Sequence, residues 1–303
     1  GLPAGISIDI DFINQQLARR QGGHGRGGRM KIEKDKAEVL TGVRNGKTLG
    51  SPVTLMIHNK DWANWEQIMA AEEGAAIDQK TVTLPRPGHA DLTGGIKYAH
   101  QDLRNILERA SARETAIRVA VGALAQSVLR QFGVELWSHV VSIGSVEALP
   151  DYTKLNDALY DTPVYCTDGE AERDMIKIID EAKEQGDTLG GVAEVVVLGL
   201  PLGIGTYVHY DRKLDGRLAQ AVMSIQAFKG VEIGMGFQAA QVPGSQAHDE
   251  IFYEAGRGFY HKTNRCGGLE GSMTNGEPVV IRGAMKPIPT LYQPLRSADF
   301  VTH

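Results

Sequence analysis

Four arginines and five glycines fall within twelve consecutive positions in "RRQGGHGRGGRM", residues 19–30. A guanidinium offers a planar fork of donors that matches phosphate and carboxylate. Glycine lets the backbone approach a ligand and turn its amides towards it. Arg20, Arg26 and Arg29 can therefore converge on one small anion. Two other readings stand beside this one. The stretch can be a flexible surface loop, or an RGG-type contact to RNA, although it is short, lacks aromatic residues and sits between a helix and strands. In "RPGHAD", residues 86–91, His89 lies between a Pro-Gly turn and Asp91. Imidazole is the side chain best suited to proton transfer near neutral pH; a merely solvent-exposed loop histidine is the alternative. In "LERASARET", residues 107–115, Arg109, Ser111 and Arg113 interrupt a run of small residues. A buried arginine needs an anion, either the neighbouring Glu108 and Glu114 or a bound phosphate or carboxylate. "KPIPT", residues 286–290, combines a cation, a hydroxyl and two φ-locked prolines, as an anion-gripping loop or a strand exit would. Several cationic clusters in glycine- or proline-shaped loops favour a small polyanionic ligand in one cleft.

The bulk composition narrows the choices. The chain has 303 residues and a net charge of −5, so its cations are a local concentration and not a general nucleic-acid surface. No apolar run approaches the roughly 20 residues of a membrane helix, and no secretory signal pattern opens the chain. The two cysteines, Cys166 and Cys266, form neither a zinc pattern nor a disulfide framework, so no metal and a reducing cytoplasm are expected. "GVRNGKT" imitates a phosphate-binding loop but has three residues between its glycines where that motif needs four, and reads as a hairpin turn.

The elements that must hold these residues follow from periodicity. "DIDFINQQLARRQ" predicts an amphipathic helix capped by Asp9 or Asp11, with Ile13, Leu17 and Ala18 inward, delivering Arg20 at its end. "KAEVLTGVRNGKTLGSPVTLMIHN" predicts two strands around a turn, and "PRPGHADLTGGIKY" a loop. Residues 100–133 read as one buried central helix. "VELWSHVVSIGSV", "GGVAEVVVLGLP", "VEIGMGF" and "EPVVIRGAM" read as strands, while "AERDMIKIIDEAKEQGD" and "LDGRLAQAVMSIQAF" read as helices. The irregular interleaving points to an α+β fold in one domain.

Six blocks, "RRQGGHGRGGRM", "RPGHADLTGGIKY", "LERASARETAIRVAVGA", "DRKLDGRLAQAVMSIQAFKGVEIG", "GGLEGSMTNGEPVVIRG" and "MKPIPTLY", occur in the order in which the chorismate synthase family carries them, and the chain resembles that family along nearly its whole length. The resemblance implies a single-domain sandwich of antiparallel sheets around central helices over residues 1–303, assembled as a homotetramer. It implies conversion of 5-enolpyruvylshikimate 3-phosphate to chorismate by 1,4-anti elimination of phosphate, with reduced FMN as cofactor and no net redox change. Arg20, Arg26, Arg29, Arg86 and Arg113 are then expected to face substrate. Arg20 and Arg26 also match NADPH positions of members that reduce their own flavin; an external flavin reductase is the expectation here, since no long extra segment is present. His89 matches the histidine that protonates the reduced flavin. Arg109, Ala110, Ser111, Gln226, Ala227, Gly271, Lys286, Pro287, Ile288, Pro289 and Thr290 match flavin-binding positions, with Gln226 standing where the family usually has Asn. The family's opening Gly-Glu-Ser-His-Gly block and its closing Arg-Ser-Asp block are not in this sequence, and the full protein is expected to carry them. The alternative is a truncated, non-catalytic flavin- or anion-binding relative.

Overall fold

The computed structural model describes residues 2–27, 34–110 and 113–303, with only the backbone at Arg109. The chain forms two compact units. The first comprises Gly1–Ser127, Asp180–Thr188 and Ile288–His303; the second comprises Val128–Ile179 and Leu189–Pro287.

The first unit holds helix α1 (Ile10–Gln21), strands β1 (Ala37–Thr41), β2 (Val43–Arg44), β3 (Lys47–Thr48) and β4 (Thr54–Ile57), helices α2 (Asp91–Tyr98) and α3 (Arg104–Ala110), and α4 (Glu114–Arg130) as far as Ser127. Asp9 caps α1, its carboxylate accepting from the Phe12 amide at 2.9 Å. The buried stripe of α1 is Phe12, Ile13 and Leu17, packed on Ala120, Ala123 and Leu124 of α4 and Ala37 of β1. Ala18, expected inward, is exposed, and Phe12 fills that side of the stripe. The alanines of α4 leave room for these larger side chains, as its small-residue composition predicted. β1 pairs antiparallel with β4, and β2 with β3. The turn between β2 and β3 is Asn45 and Gly46, both at positive φ (48° and 70°), which suits the right-handed twist of the hairpin. "GVRNGKT" is thus a hairpin.

Two sequence expectations need correction. Residues 100–133 form two helices, α3 and α4, and not one. The second half of "PRPGHADLTGGIKY" is the helix α2 and not a loop. Its glycines are packing positions: a Cβ on Gly94 would stand 2.7 Å from Ile106 Cγ2, and one on Gly95 would stand 2.6 Å from Leu103 Cδ2. Glycine is required there because α2 lies against Leu103 and α3 too closely for any side chain.

The second unit holds β5 (Glu135–Ile143), β6 (Val146–Glu147), α5 (Gly169–Glu184) as far as Ile179, β7 (Gly191–Leu198), α6 (Leu214–Met223), β8 (Phe228–Ile233), β9 (Ile251–Glu254), β10 (Gly258–His261), β11 (Leu269–Glu270), β12 (Met273–Thr274) and β13 (Val279–Met285). Its main sheet is antiparallel in the order β6-β5-β7-β13-β8. Ala171 and Met175 of α5 pack with Val164, Cys166 and Val140. Leu214, Leu218 and Val222 of α6 pack on Val279 and Ile281 of β13. One cross-strand row of the sheet is charged: His139 pairs with Glu194 and Glu194 with Arg282 across three neighbouring strands. Glu194 Oε1 lies 2.9 Å from His139 Nε2, and Arg282 Nε donates to Oε2 at 2.6 Å. Burial raises the Glu194 pKa, but the bonds from His139 and Arg282 outweigh burial and hold it below the usual value. A one-residue slip would strand that buried carboxylate, so the row pins the register.

Every strand pair among the described residues is antiparallel, in a mixed helix-and-strand fold. No helix among them is long and apolar enough to cross a membrane.

Candidate functional site

In the first unit α1 ends at Gly22 and delivers Arg20 beside the start of α4. Arg20 Nε donates to Thr115 Oγ1 at 3.1 Å, and its Nη1 lies 3.5 Å from Asp35 Oδ2. Arg113 meets the same carboxylate: its Nη1 stands 2.6 Å from Oδ1 and 2.8 Å from Oδ2, while Nη2 donates to the His58 carbonyl at 2.9 Å. The Asp35 side chain is 2% exposed, against 11% for Arg20 and 20% for Arg113. Two guanidiniums from distant parts of the chain are thereby fixed on one buried anion, a charge-assisted arrangement stronger than neutral hydrogen bonds. The anion that serves Arg113 is Asp35; Glu114 binds Arg118 one turn on, at 2.8 Å. Arg26 is exposed, its Nε donating to the Gly22 carbonyl at 2.9 Å. Among the described residues it does not share the Asp35 carboxylate. Arg29 and Ser111 lie outside the described residues, as does the side chain of Arg109.

The second cluster of this unit surrounds His89. Asp91 opens α2 with its side chain wholly buried. Its Oδ2 accepts from the Arg86 amide at 3.0 Å and from Arg86 Nε at 2.9 Å, and its Oδ1 is hydrogen-bonded to His89 Nδ1. Arg86 Nη1 donates to Thr290 Oγ1 at 2.9 Å. Burial pushes the Asp91 carboxyl up, but the side-chain and backbone bonds from Arg86, and then that from His89, pull it below its ordinary value, so it is a carboxylate at neutral pH. The segment before it is braced from the end of the chain: Ser297 Oγ donates to the Pro85 carbonyl and Thr83 Oγ1 to Asp299, each at 2.5 Å.

The remaining expected positions divide between the units. Ala110, Ile288, Pro289 and Thr290 belong to the first; Gln226, Ala227, Gly271, Lys286 and Pro287 belong to the second. Within the second unit the Lys286 amide, at the exit of β13, donates to the Ala227 carbonyl at 3.0 Å. Ala227 has φ 72°, a conformation uncommon for a residue with a Cβ. Gly271 and Ser272 are the two turn residues of the β11–β12 hairpin, at φ 55° and 66°, and Ser272 Oγ donates to Asp215 Oδ2 at 3.0 Å. Sequence reasoning missed Asp35 altogether. It sits between Lys34 and Lys36 and reads locally as part of a solvated charge run.

Arginines seated on one buried carboxylate and a histidine seated on another are the equipment of an enzyme that binds anions and moves protons. The comparisons specify which enzyme. Residues 1–303 match the family described as chorismate synthase. A chorismate synthase of Desulforamulus reducens is 59% identical over 303 residues, covering 99% of this chain and 78% of its own length. That of Moorella thermoacetica is 60% identical over 304 residues, covering 100% and 79%. A crystal structure of chorismate synthase superposes with a TM-score of 0.79 at 46% identity, covering 95% of this chain and 79% of its own. The chain belongs to the chorismate synthase family, lyases of the shikimate pathway. The reading as a non-catalytic relative finds no support in these matches.

Proposed function

We propose that this chain converts 5-enolpyruvylshikimate 3-phosphate to chorismate and inorganic phosphate. The reaction breaks the allylic carbon–oxygen bond to phosphate and removes a ring proton on the opposite face, so that electrons balance without net oxidation. The substrate carries a phosphate and two carboxylates, and the observation that carries this reading is the Arg20–Asp35–Arg113 cluster, in a chain whose residues 1–303 match the family. Arg20, Arg26, Arg29, Arg86 and Arg113 are assigned to the substrate anions. Donors fixed before the ligand arrives need not reorganise as charge develops on the departing phosphate. His89 is assigned to proton transfer through its Nε2.

Reduced FMN, when bound, supplies electron density that eases departure of the phosphate. The expected flavin positions would hold it: Lys286, Arg109, Ser111 and Thr290 are cations and hydroxyls by residue type, and the Lys286 amide bonded to the Ala227 carbonyl joins two of the expected flavin segments. Gln226, Ala227, Ala110, Gly271, Pro287, Ile288 and Pro289 complete the set that would hold and shield it. We assign the reductant to a separate flavin reductase, with NADPH use at Arg20 and Arg26 as the competing outcome of the test. The family sandwich in one domain over residues 1–303, a homotetramer and a cytoplasmic setting complete the proposal.

The test is an anaerobic mixture of the protein, chemically reduced FMN and 5-enolpyruvylshikimate 3-phosphate, with chorismate followed by absorbance. Product with reduced and not with oxidised FMN supports the reading. Turnover with NADPH and oxidised FMN alone would replace the external reductase. No product from folded protein overturns the function.

A further inference from the structure

His89 is enclosed in a way that selects one of its two tautomers. Its Nδ1 faces the wholly buried Asp91 Oδ1. Arg86 Nη2 stands 3.1 Å from Nδ1 and 3.3 Å from Nε2. A donor aimed at a ring lone pair lies in the ring plane and close to one nitrogen. A position in that plane nearly equidistant from both would collide with a ring carbon, so the guanidinium lies against the ring face. Arg86 therefore does not occupy the lone pair of either nitrogen. Its backbone amide and Nε are committed to Asp91 Oδ2 instead, leaving Oδ1 turned to the imidazole. An ionised Asp91 can only accept, so the shared proton is carried on Nδ1.

We propose that Asp91 is the positioning residue for His89: it fixes the Nδ1–H tautomer and so reserves Nε2 as the atom that gives and takes a proton. Arg86 fixes Asp91 in turn, through three contacts: the amide at 3.0 Å, Nε at 2.9 Å and Nη2 at 3.4 Å. Among the described residues, Arg86 and Asp91 are the charged groups in hydrogen-bonding reach of the ring. This inference rests on the reading of His89 as the proton-holding residue. It extends that reading to a base held by an orienting carboxylate, a logic found on unrelated folds.

Asp91→Asn separates orientation from bulk. The donors of Arg86 at Oδ2 require the amide oxygen on their side, which turns the amide NH2 towards His89 Nδ1. That nitrogen must then accept, and the ring is driven to the Nε2–H form. The experiment labels histidine ring nitrogens with ¹⁵N in the whole protein, assigns the His89 signals by their loss in His89→Gln among nine histidines, and reads which nitrogen carries the proton as pH is raised until the ring is neutral. The expected result is Nδ1–H in the wild type and Nε2–H in Asp91→Asn, with kcat lowered about 10²–10⁴-fold. An Nε2–H wild type, or an unaltered tautomer in a folded Asp91→Asn, overturns the proposal. If the variant does not fold, the wild-type spectrum alone decides. Because the tautomer is read without turnover, a protein with the expected tautomers but no chorismate formation would refute the function and leave the Asp91 assignment standing.

Discussion

Asp35→Asn is the most direct probe of how the arginines are held. The substitution keeps shape and removes one charge. Three contacts depend on that charge: Arg113 Nη1 at 2.6 and 2.8 Å and Arg20 Nη1 at 3.5 Å. Removing one partner of a fully buried pair costs about 3–5 kcal/mol. Here the carboxylate is 2% exposed but the guanidiniums are 11% and 20% exposed, so water takes over part of their solvation. The amide oxygen also retains one acceptor site. The expected loss is therefore about 2–3 kcal/mol, close to one or two hydrogen bonds to a charged group. Urea unfolding of wild type, Asp35→Asn, Arg113→Ala and the double variant measures the loss and the coupling. Residues in contact are expected to couple by about 0.5–3 kcal/mol. An Asp35→Asn loss below about 0.5 kcal/mol, the range of ordinary surface substitutions, with additive double-variant behaviour, would show that the carboxylate is incidental to the arginines.

His89→Ala is expected to slow turnover about 10²–10⁴-fold in the anaerobic assay, and a near-wild-type rate would remove His89 from the chemistry. Arg113→Ala is expected to weaken substrate binding by about 2–5 kcal/mol in calorimetry, the range for losing one partner of a buried charged contact; an unchanged Kd would reassign Arg113 to structure alone. Burial, and then the neighbouring Asp249, push the Cys266 thiol up to about 11. Its thiolate is scarce at pH 8, so iodoacetamide should modify it about a hundredfold more slowly than an exposed cysteine, as peptide mass mapping would show. Asp249 itself is held at about 2: burial raises it, but the bonds from the Thr263 hydroxyl and the Arg265 and Cys266 amides win. Its folded value is below its unfolded one, so its contribution is present above about pH 4 and is lost as pH falls towards 2. Acid unfolding of Asp249→Asn should lack that limb, and matching acid profiles would show that the bonds to Asp249 contribute nothing.

The sequence made the periodic elements legible because their signals are local. Asp9 caps α1 as predicted, and α5, β7 and β13 lie where their patterns put them. The loop reading of residues 91–98 has a tertiary cause. Gly94 and Gly95 are loop signals by composition, yet they sit in a helix where Ile106 and Leu103 occupy the space a Cβ would need. Tertiary contact decides such positions, and hydrophobic periodicity does not register it.

The site divides the same way, and the division has an electrostatic reason. The arginines announce themselves by type and crowding, and His89 with Asp91 is a two-residue spacing that can be read directly. Asp35 lies 78 residues from Arg113, and Thr290 lies 204 from Arg86. Nothing local marks either. Yet guanidiniums that are mostly withdrawn from water cannot be left facing one another before a ligand arrives. Where the sequence crowds arginines into glycine-shaped backbone, the fold must therefore supply a resident carboxylate. Asp35 meets that requirement for Arg20 and Arg113, as Asp91 does for Arg86. In each case a nearly inaccessible acid holds a more exposed cation. Searching for the compensating acid is thus a better guide to such a site than counting its arginines, because the acid fixes where the cations can point.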